Sequence, residues 1–410
     1  MTRYMFAWEL GANYGHLARD LPVAERLRAA GHAVFFAVCD TRIAAELLGR
    51  RRFPFVQAPL PQRKARLAKP PANYAEMLLA ENWGDRLSLL GCAKAWSTLF
   101  ALARPDTIIA DHAPTALLAA RIAGIRSIAL GSGFEIPLAT HPLPSIRTWE
   151  AISETRLIQS EAMALDSANA VAATLGGNPL ERLVDLIPSN PIFVTFAELD
   201  HYGARKGAFY AGSIHGMDVA DTIAWPEGAD DEPRLIVYLR PDQKTTHLLL
   251  ELFAQMKIRS ICAIPGASKQ FIRKYSRPHL TILPGPLNFR SKLDAADLMV
   301  GYGSMGVITE SLLAGVPLLM VPQTVEQYLG AKRVEALNAG IVIEQERSRE
   351  ILGLALEKLI ADQAYRNAAG RFAGKYCEVT PEYAANRAAE AILSAKANLA
   401  EAAMQLIDIS

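Results

Sequence analysis

Residues 297–327 read DLMVGYGSMGVITESLLAGVPLLMVPQTVEQ. An apolar run at 298–300 leads into Gly301-Tyr302-Gly303-Ser304-Met305-Gly306, a literal G-x-G-x-x-G, and a helical pattern follows it. At face value this is a dinucleotide-binding turn. Such a turn belongs on the first strand of its unit and needs an acidic residue at the end of the second strand, to hold the ribose. Here the glycines follow a fourth strand, and the next one, 317–321, ends in Pro322-Gln323 without a carboxylate. An NAD-dependent oxidoreductase is therefore disfavoured. What remains is a loop of small residues whose backbone N–H groups can approach a ligand closely, at the positive end of a helix suited to a phosphate or diphosphate. One turn on, Glu310 is placed to accept two ribose hydroxyls; the alternative is charge compensation at the helix N-terminus.

Outward from this loop, short β-type runs alternate with longer helical patterns. Runs at 4–8, 33–38, 107–110, 126–130 and 191–196 make one series, and runs at 235–239, 260–264, 280–283, 298–300 and 317–321 make another. Alternation of this kind predicts parallel sheets covered by helices on both faces. Between the series, 214–233 is polar, acidic and rich in turn residues, as an inter-domain linker is. The expected organisation is an N-terminal domain 1–213, a linker 214–233, a C-terminal domain 234–383, and alanine-rich amphipathic helices at 384–410 packing back on the first domain. Open sheets bind ligands at the carboxyl ends of their strands, so the site is expected in a cleft drawing on strand-to-helix loops of both halves.

The chain has 410 residues, 51% hydrophobic and 21% charged, with a net charge of +1. That is an ordinary globular composition, large enough for two cores, and it gives no overall pull toward nucleic acid. Cys39, Cys92, Cys262 and Cys377 lie far apart, without metal-type spacing. They read as thiols of a reducing compartment. No apolar run reaches the roughly 18–20 residues that span a bilayer, so the expectation is a cytoplasmic protein, with a peripheral membrane contact left open.

The stretch 301–327 resembles the donor-binding signature of the GT-B glycosyltransferases of the UDP-glycosyltransferase superfamily. The matching anchors are Gly303, Gly306, Glu310, Gly315, Pro317, Pro322, Glu326 and Gln327, with spacing kept throughout. The resemblance extends to strand order and linker position. It implies an α/β GT-B fold, two Rossmann-like doubly wound domains, in which Glu310 holds ribose hydroxyls and Glu326 and Gln327 hold the donor sugar. Three positions depart from the signature. Tyr302 replaces a histidine that contacts the diphosphate, Ser304 replaces a glycine, and Val307 replaces a phosphate-binding Ser or Thr. Tyr302 and Ser304 can each still offer a hydroxyl.

In the first half, Gly15-His16 follows the first strand in GANYGHLARDLPVAERLRAAGH (11–32). In the family a histidine after glycine at this point is the general base, a role suited to a group titrating near neutrality. A helix N-terminus favours the neutral imidazole. Asp111, directly after the strand 107–110, is the candidate partner that orients and supports it. The plainer roles are a capping or buried histidine and a helix N-cap. Acceptor contacts are expected in the irregular parts of this half, with Phe134, Trp83 and Trp149 as candidates, although aromatic residues are commonly core. Arg50, Arg51, Arg52, Arg63, Lys64, Arg66 and Lys69 form a cationic stretch that a solvated loop or an anionic partner would explain.

The resulting expectation is an inverting, metal-independent hexosyltransferase. It would move a sugar from a UDP- or dTDP-type donor, its only co-substrate, to a hydroxyl of a small-molecule or lipid-like acceptor, with no further cofactor. The alternative is a nucleotide-sugar binder without turnover. Sugar, base, acceptor and oligomeric state are left open.

Overall fold

The computed structural model describes residues 1–12, 14–214, 223–229, 231–285, 288, 290–344 and 348–407, with side chains described as far as residue 395. Much of the stretch 214–233, and Pro286, Leu287 and Phe289 of the loop before the donor motif, lie outside the described residues.

The chain divides into two compact units. Met1–Ala197, Ala204–Ile214 and Thr380–Ser410 make up the first, Glu198–Gly203 and His215–Val379 the second. The first runs β1 (Arg3–Trp8), α1 (Gly15–Ala29), β2 (Ala33–Val38), α2 (Thr41–Arg50), β3 (Phe55–Gln57), α3 (Tyr74–Ala80), α4 (Arg86–Ala103), β4 (Thr107–Asp111), α5 (Pro114–Ile122), β5 (Arg126–Gly131), α6 (Glu154–Thr174), β6 (Ile192–Phe193) and β7 (Phe209–Tyr210). The second runs β8 (Arg234–Tyr238), α7 (Lys244–Met256), β9 (Arg259–Ala263), α8 (Lys269–Tyr275), β10 (Leu280–Leu283), α9 (Arg290–Leu293), β11 (Leu298–Gly301), α10 (Met305–Leu313), β12 (Leu318–Met320), α11 (Val325–Ala336), β13 (Gly340–Val342), α12 (Arg349–Ala361) and α13 (Gln363–Lys375). The final helix, α14 (Pro381–Ile407), belongs to the first unit.

Each unit is built on one all-parallel sheet, ordered β3-β2-β1-β4-β5-β6-β7 in the first and β10-β9-β8-β11-β12-β13 in the second. β1 shows why. Tyr4, Phe6 and Trp8 bury one face of the strand against α1 and α14, while Met5 and Ala7 bury the other against α4 and α5. A strand apolar on both faces needs helices on both sides, and the right-handed β-α-β connection supplies them. Ala384, Ala385, Ala388, Ala389 and Ile392 give α14 a small-residue stripe that fits closely in the core of the first unit.

Three short strands escape the periodicity. β3 is three residues between Pro54 and Pro59, β7 is two, and β13 is three. None is long enough to show an alternation. Conversely, the run at 191–196 pairs only at Ile192 and Phe193.

In both sheets the order reverses beside the first strand, between β1 and β4 and between β8 and β11. Loops leaving those strands diverge to opposite faces and open a crevice at the carboxyl ends, which is where open α/β sheets bind ligands.

Candidate active site

At the first switch point, His16 sits in the first turn of α1 and Asp111 is the last residue of β4, paired in register with Trp8. His16 Nδ1 lies 2.9 Å from each oxygen of Asp111. The imidazole stacks on the indole of Trp8, with centroids 5.0 Å apart and planes at 22°. Trp8 is itself fixed by donating from Nε1 to the Leu10 carbonyl at 2.8 Å. With Nδ1–H donating to a buried carboxylate, Nε2 is the atom left basic. It faces Gly11, where a Cβ would fall 2.2 Å from it, and φ of +95° independently calls for glycine there. His16 keeps 18% of its side chain exposed, while Asp111 is buried.

The electrostatics turn on Asp111. Burial opposes its ionisation, but the charges of Arg19 and His16 and the His16 hydrogen bond outweigh it and bring the carboxyl down to about 2. Burial presses His16 toward the neutral form, and the charge and hydrogen bond of Asp111 more than offset it, so its pKa is raised. The helix N-terminus alone suggests the opposite sign; the buried carboxylate wins because it is closer and fully ionised. Three further ionisable residues surround the pair. Arg19 donates from Nη2 to Asp111 and approaches Glu135, and Asp20 is fully buried beside them. His112 flanks the same group. Its ring stacks on Tyr74, and burial lowers its pKa to about 4. Glu9, after β1, caps α5 by accepting from the N–H groups of Thr115 and Ala116.

At the second switch point the loop after β11 opens α10. Gly303 has φ of +81°, and a Cβ there would meet the Gln327 carbonyl at 3.1 Å and Ala331 Cβ at 3.3 Å. This glycine is what allows α10 and α11 to approach. Gly306 faces open space, so backbone N–H groups in the first turn of α10 are approachable. Ser304 is the N-cap, and its hydroxyl makes no capping bond. Val307 is buried. The Tyr302 ring is buried as well, and its hydroxyl accepts the Arg240 N–H at 2.6 Å and lies 3.5 Å from Thr246 Oγ1. It ties the loop after β11 to the loop after β8. Glu310 is half-buried, and burial pushes its carboxyl up to about 7 against the opposing charge of Arg290. Glu326 is exposed in the first turn of α11, and Gln327 Oε1 accepts the Gln323 N–H at 2.9 Å.

The chain has relatives in sequence and in fold. Residues 267–376 match the model of the glycosyltransferase family 28 C-terminal domain. The chain is 24% identical over 406 residues to a PGL/p-HBAD biosynthesis rhamnosyltransferase of Mycobacterium bovis, covering 91% of this chain and 84% of that protein. The fold is shared with the glycotransferase of kitacinnamycin, at a TM-score of 0.70 and 21% identity over 95% of this chain and 97% of that one. It is shared as well with the spinosyn rhamnosyltransferase SpnG complexed with thymidine diphosphate, at 0.66 and 15% over 95% and 100%. The fold is that of the GT-B glycosyltransferases.

Each unit gathers part of the residues singled out from the sequence. His16 and Asp111 meet in the first unit. Gly303, Ser304, Gly306, Val307 and Glu310 line one loop and helix of the second, with Gln327 behind Gly303. Tyr302 stands in that loop with its hydroxyl turned to backbone. Trp83 is core, packed with Leu79, Leu89 and Trp96. Phe134 is buried next to Glu135, and Trp149 is half-buried beneath the guanidinium of Arg147. Arg50–Arg52, Arg63, Lys64, Arg66 and Lys69 are exposed, with Lys64 on Glu81 at 2.5 Å and Arg51 on Glu25 at 3.5 Å. Among the described residues no helix is long and apolar enough to cross a membrane, and no three His, Cys, Asp or Glu side chains are arranged to hold a metal ion. Sequence reasoning missed Trp8, Gly11, Arg19, Asp20 and Glu135. Arg19 and Asp20 carried a signal, standing three and four residues after His16 on one face of α1.

Proposed function

We propose that the chain is an inverting glycosyltransferase that takes a sugar from a dTDP- or UDP-linked donor to an acceptor hydroxyl without a metal. The observation that carries this reading is His16 Nδ1 bound to both oxygens of buried Asp111, with Nε2 left basic. Nε2 takes the acceptor hydroxyl proton, and that oxygen bonds to the anomeric carbon from the face opposite the leaving group. The bond from that carbon to the diphosphate oxygen breaks, and its electron pair leaves with the nucleotide. N–H groups at Gly303–Val307 and the positive end of α10 stabilise the charge that builds there. Glu310 accepts from the nucleoside sugar, both hydroxyls of the ribose in a UDP donor or the single 3′-hydroxyl of the deoxyribose in a dTDP donor, and Glu326 and Gln327 accept the hydroxyls of the transferred sugar. The thymidine diphosphate bound to the spinosyn enzyme and the rhamnosyl transfer named for the mycobacterial relative support a dTDP-deoxysugar donor.

A binder without turnover is the second reading, favoured by Tyr302, whose hydroxyl is spent within the fold. Thermal unfolding with UDP, dTDP, GDP and NAD, followed by transfer assays on wild type and His16→Gln, separates the two. A ligand at a hundredfold its Kd adds about 2.7 kcal/mol, a shift of a few degrees. Transfer with inverted anomeric configuration, lost in His16→Gln while the nucleotide shift persists, supports the enzyme. A shift without transfer in either protein supports the binder.

A further inference from the structure

Behind His16 and Asp111 lies a set of buried charges that proton transfer itself does not require. Arg19 Nη2 bonds Asp111 Oδ1 and lies 3.3 Å from Glu135 Oε1. Glu135 is held by Ser132, whose N–H donates at 2.7 Å and whose Oγ donates at 3.1 Å. Asp20 is fully buried, neither of its oxygens accepts from a donor, and it meets the Asp111 carboxylate in a contact that needs a proton on one of the two acids. Of the other titratable neighbours, His112 is kept neutral by burial and the Cys39 thiol is kept protonated by burial, while Glu9, whose carboxyl burial pushes up to about 7, turns its charge to the N–H groups of α5.

A carboxyl sealed from water with no donor in reach is stable as the neutral acid. With Asp20 neutral, the cation of Arg19 offsets one of the two carboxylates, Asp111 and Glu135. One negative charge is left over in a dry pocket, and a proton on His16 cancels it.

We propose that Arg19 and Glu135 are positioning residues that set the charge balance of this pocket, so that it becomes neutral when His16 takes a proton. The inference rests on His16 being the base of the proposed reaction. Without Glu135, the Arg19 cation is left to offset Asp111 alone, and His16 is drawn to its proton less strongly. Without Arg19, two negative charges hold His16 protonated at neutral pH, and the base is consumed before the acceptor arrives. The two single losses therefore act in opposite directions, which a purely structural role does not produce.

The test titrates His16 in the whole chain labelled with ¹⁵N-histidine, its resonance assigned by disappearance in His16→Gln, alongside the pH dependence of kcat/KM. Glu135→Gln is expected to lower the His16 midpoint by about one pH unit and Arg19→Met to raise it by about as much, with the acid limb of the rate profile following each. Arg19→Lys keeps the cation and stays near wild type. The double variant Arg19→Met/Glu135→Gln removes both charges, preserves the balance and returns the midpoint toward wild type; it also replaces Arg19→Met in the comparison if the single variant does not fold. Midpoints that stay put, or that move the same way in both single variants, overturn the proposal. Transfer surviving in His16→Gln overturns the base assignment instead, and the titration still decides the charge balance.

Discussion

The imidazole of His16 lies against the indole of Trp8, 5.0 Å between centroids, while its edge is bound to Asp111. Face and edge are thus both fixed, and Nε2 has one direction in which to accept a proton. His16→Gln, similar in size and without a basic nitrogen, is expected to lower transfer by about 10²–10⁴-fold. Nucleotide binding, read by calorimetry, should stay at the wild-type Kd. A variant that transfers at the normal rate dismisses the assignment.

Asp111 should matter for stability as well as for rate. Its folded-state pKa of about 2 lies below the ordinary aspartate value of 3.8. A depressed carboxylate contributes stability that is fully present above the unfolded value and lost as pH falls through the folded one. The contribution is about 2 kcal/mol. Urea unfolding between pH 5 and pH 2 should therefore show a loss in wild type that is smaller in Asp111→Asn. The same variant should transfer at least about 10²-fold more slowly, because the amide no longer enforces one tautomer.

Glu310 carries the opposite sign. Its carboxyl is raised to about 7, so the folded state prefers the neutral acid, and stability falls as pH rises from the unfolded value of 4.5 through 7. Glu310→Gln should unfold at a higher temperature than wild type at pH 8, with the gap closing toward pH 5. If the ionised carboxylate accepts ribose hydroxyls, UDP affinity should weaken from pH 8 to pH 6 in wild type more than in Glu310→Gln. Parallel pH profiles for the two proteins would remove Glu310 from the ribose site.

Two glycines of one loop should separate fold from binding. Gly303→Ala meets a left-handed backbone and a carbonyl at 3.1 Å, and should lose about 1–3 kcal/mol in thermal unfolding. Gly306→Ala has open space and should unfold within about 0.5 kcal/mol of wild type. Its methyl would, however, stand where a diphosphate approaches the backbone. Undiminished dTDP binding by Gly306→Ala would show that the first turn of α10 is not the diphosphate cradle.

The amino-acid order alone determined the alternation of strands and helices, and with it two parallel sheets, because apolar periodicity is a property of neighbouring residues. It determined the turn at Gly303 and the placing of Glu310 one turn into a helix, since both are fixed by spacing within a few residues. It singled out His16, at the start of the first helix, and Asp111, directly after a strand, as a candidate pair, on the strength of the family resemblance. Tertiary structure alone decided what surrounds them. Arg19, Asp20, Glu135 and Trp8 come from a helix, a loop and a strand up to 127 positions apart, and no local pattern marks their convergence. It also decided signs. A helix N-terminus predicts a depressed His16 pKa, but the balance depends on the distance to a buried carboxylate and on the water excluded around it. Tyr302 was placed in the donor loop by its sequence position, and the Arg240 N–H at 2.6 Å gives it a role within the fold. Spacing is local and survives in a linear string. Net charge in a dry pocket is a sum over the fold.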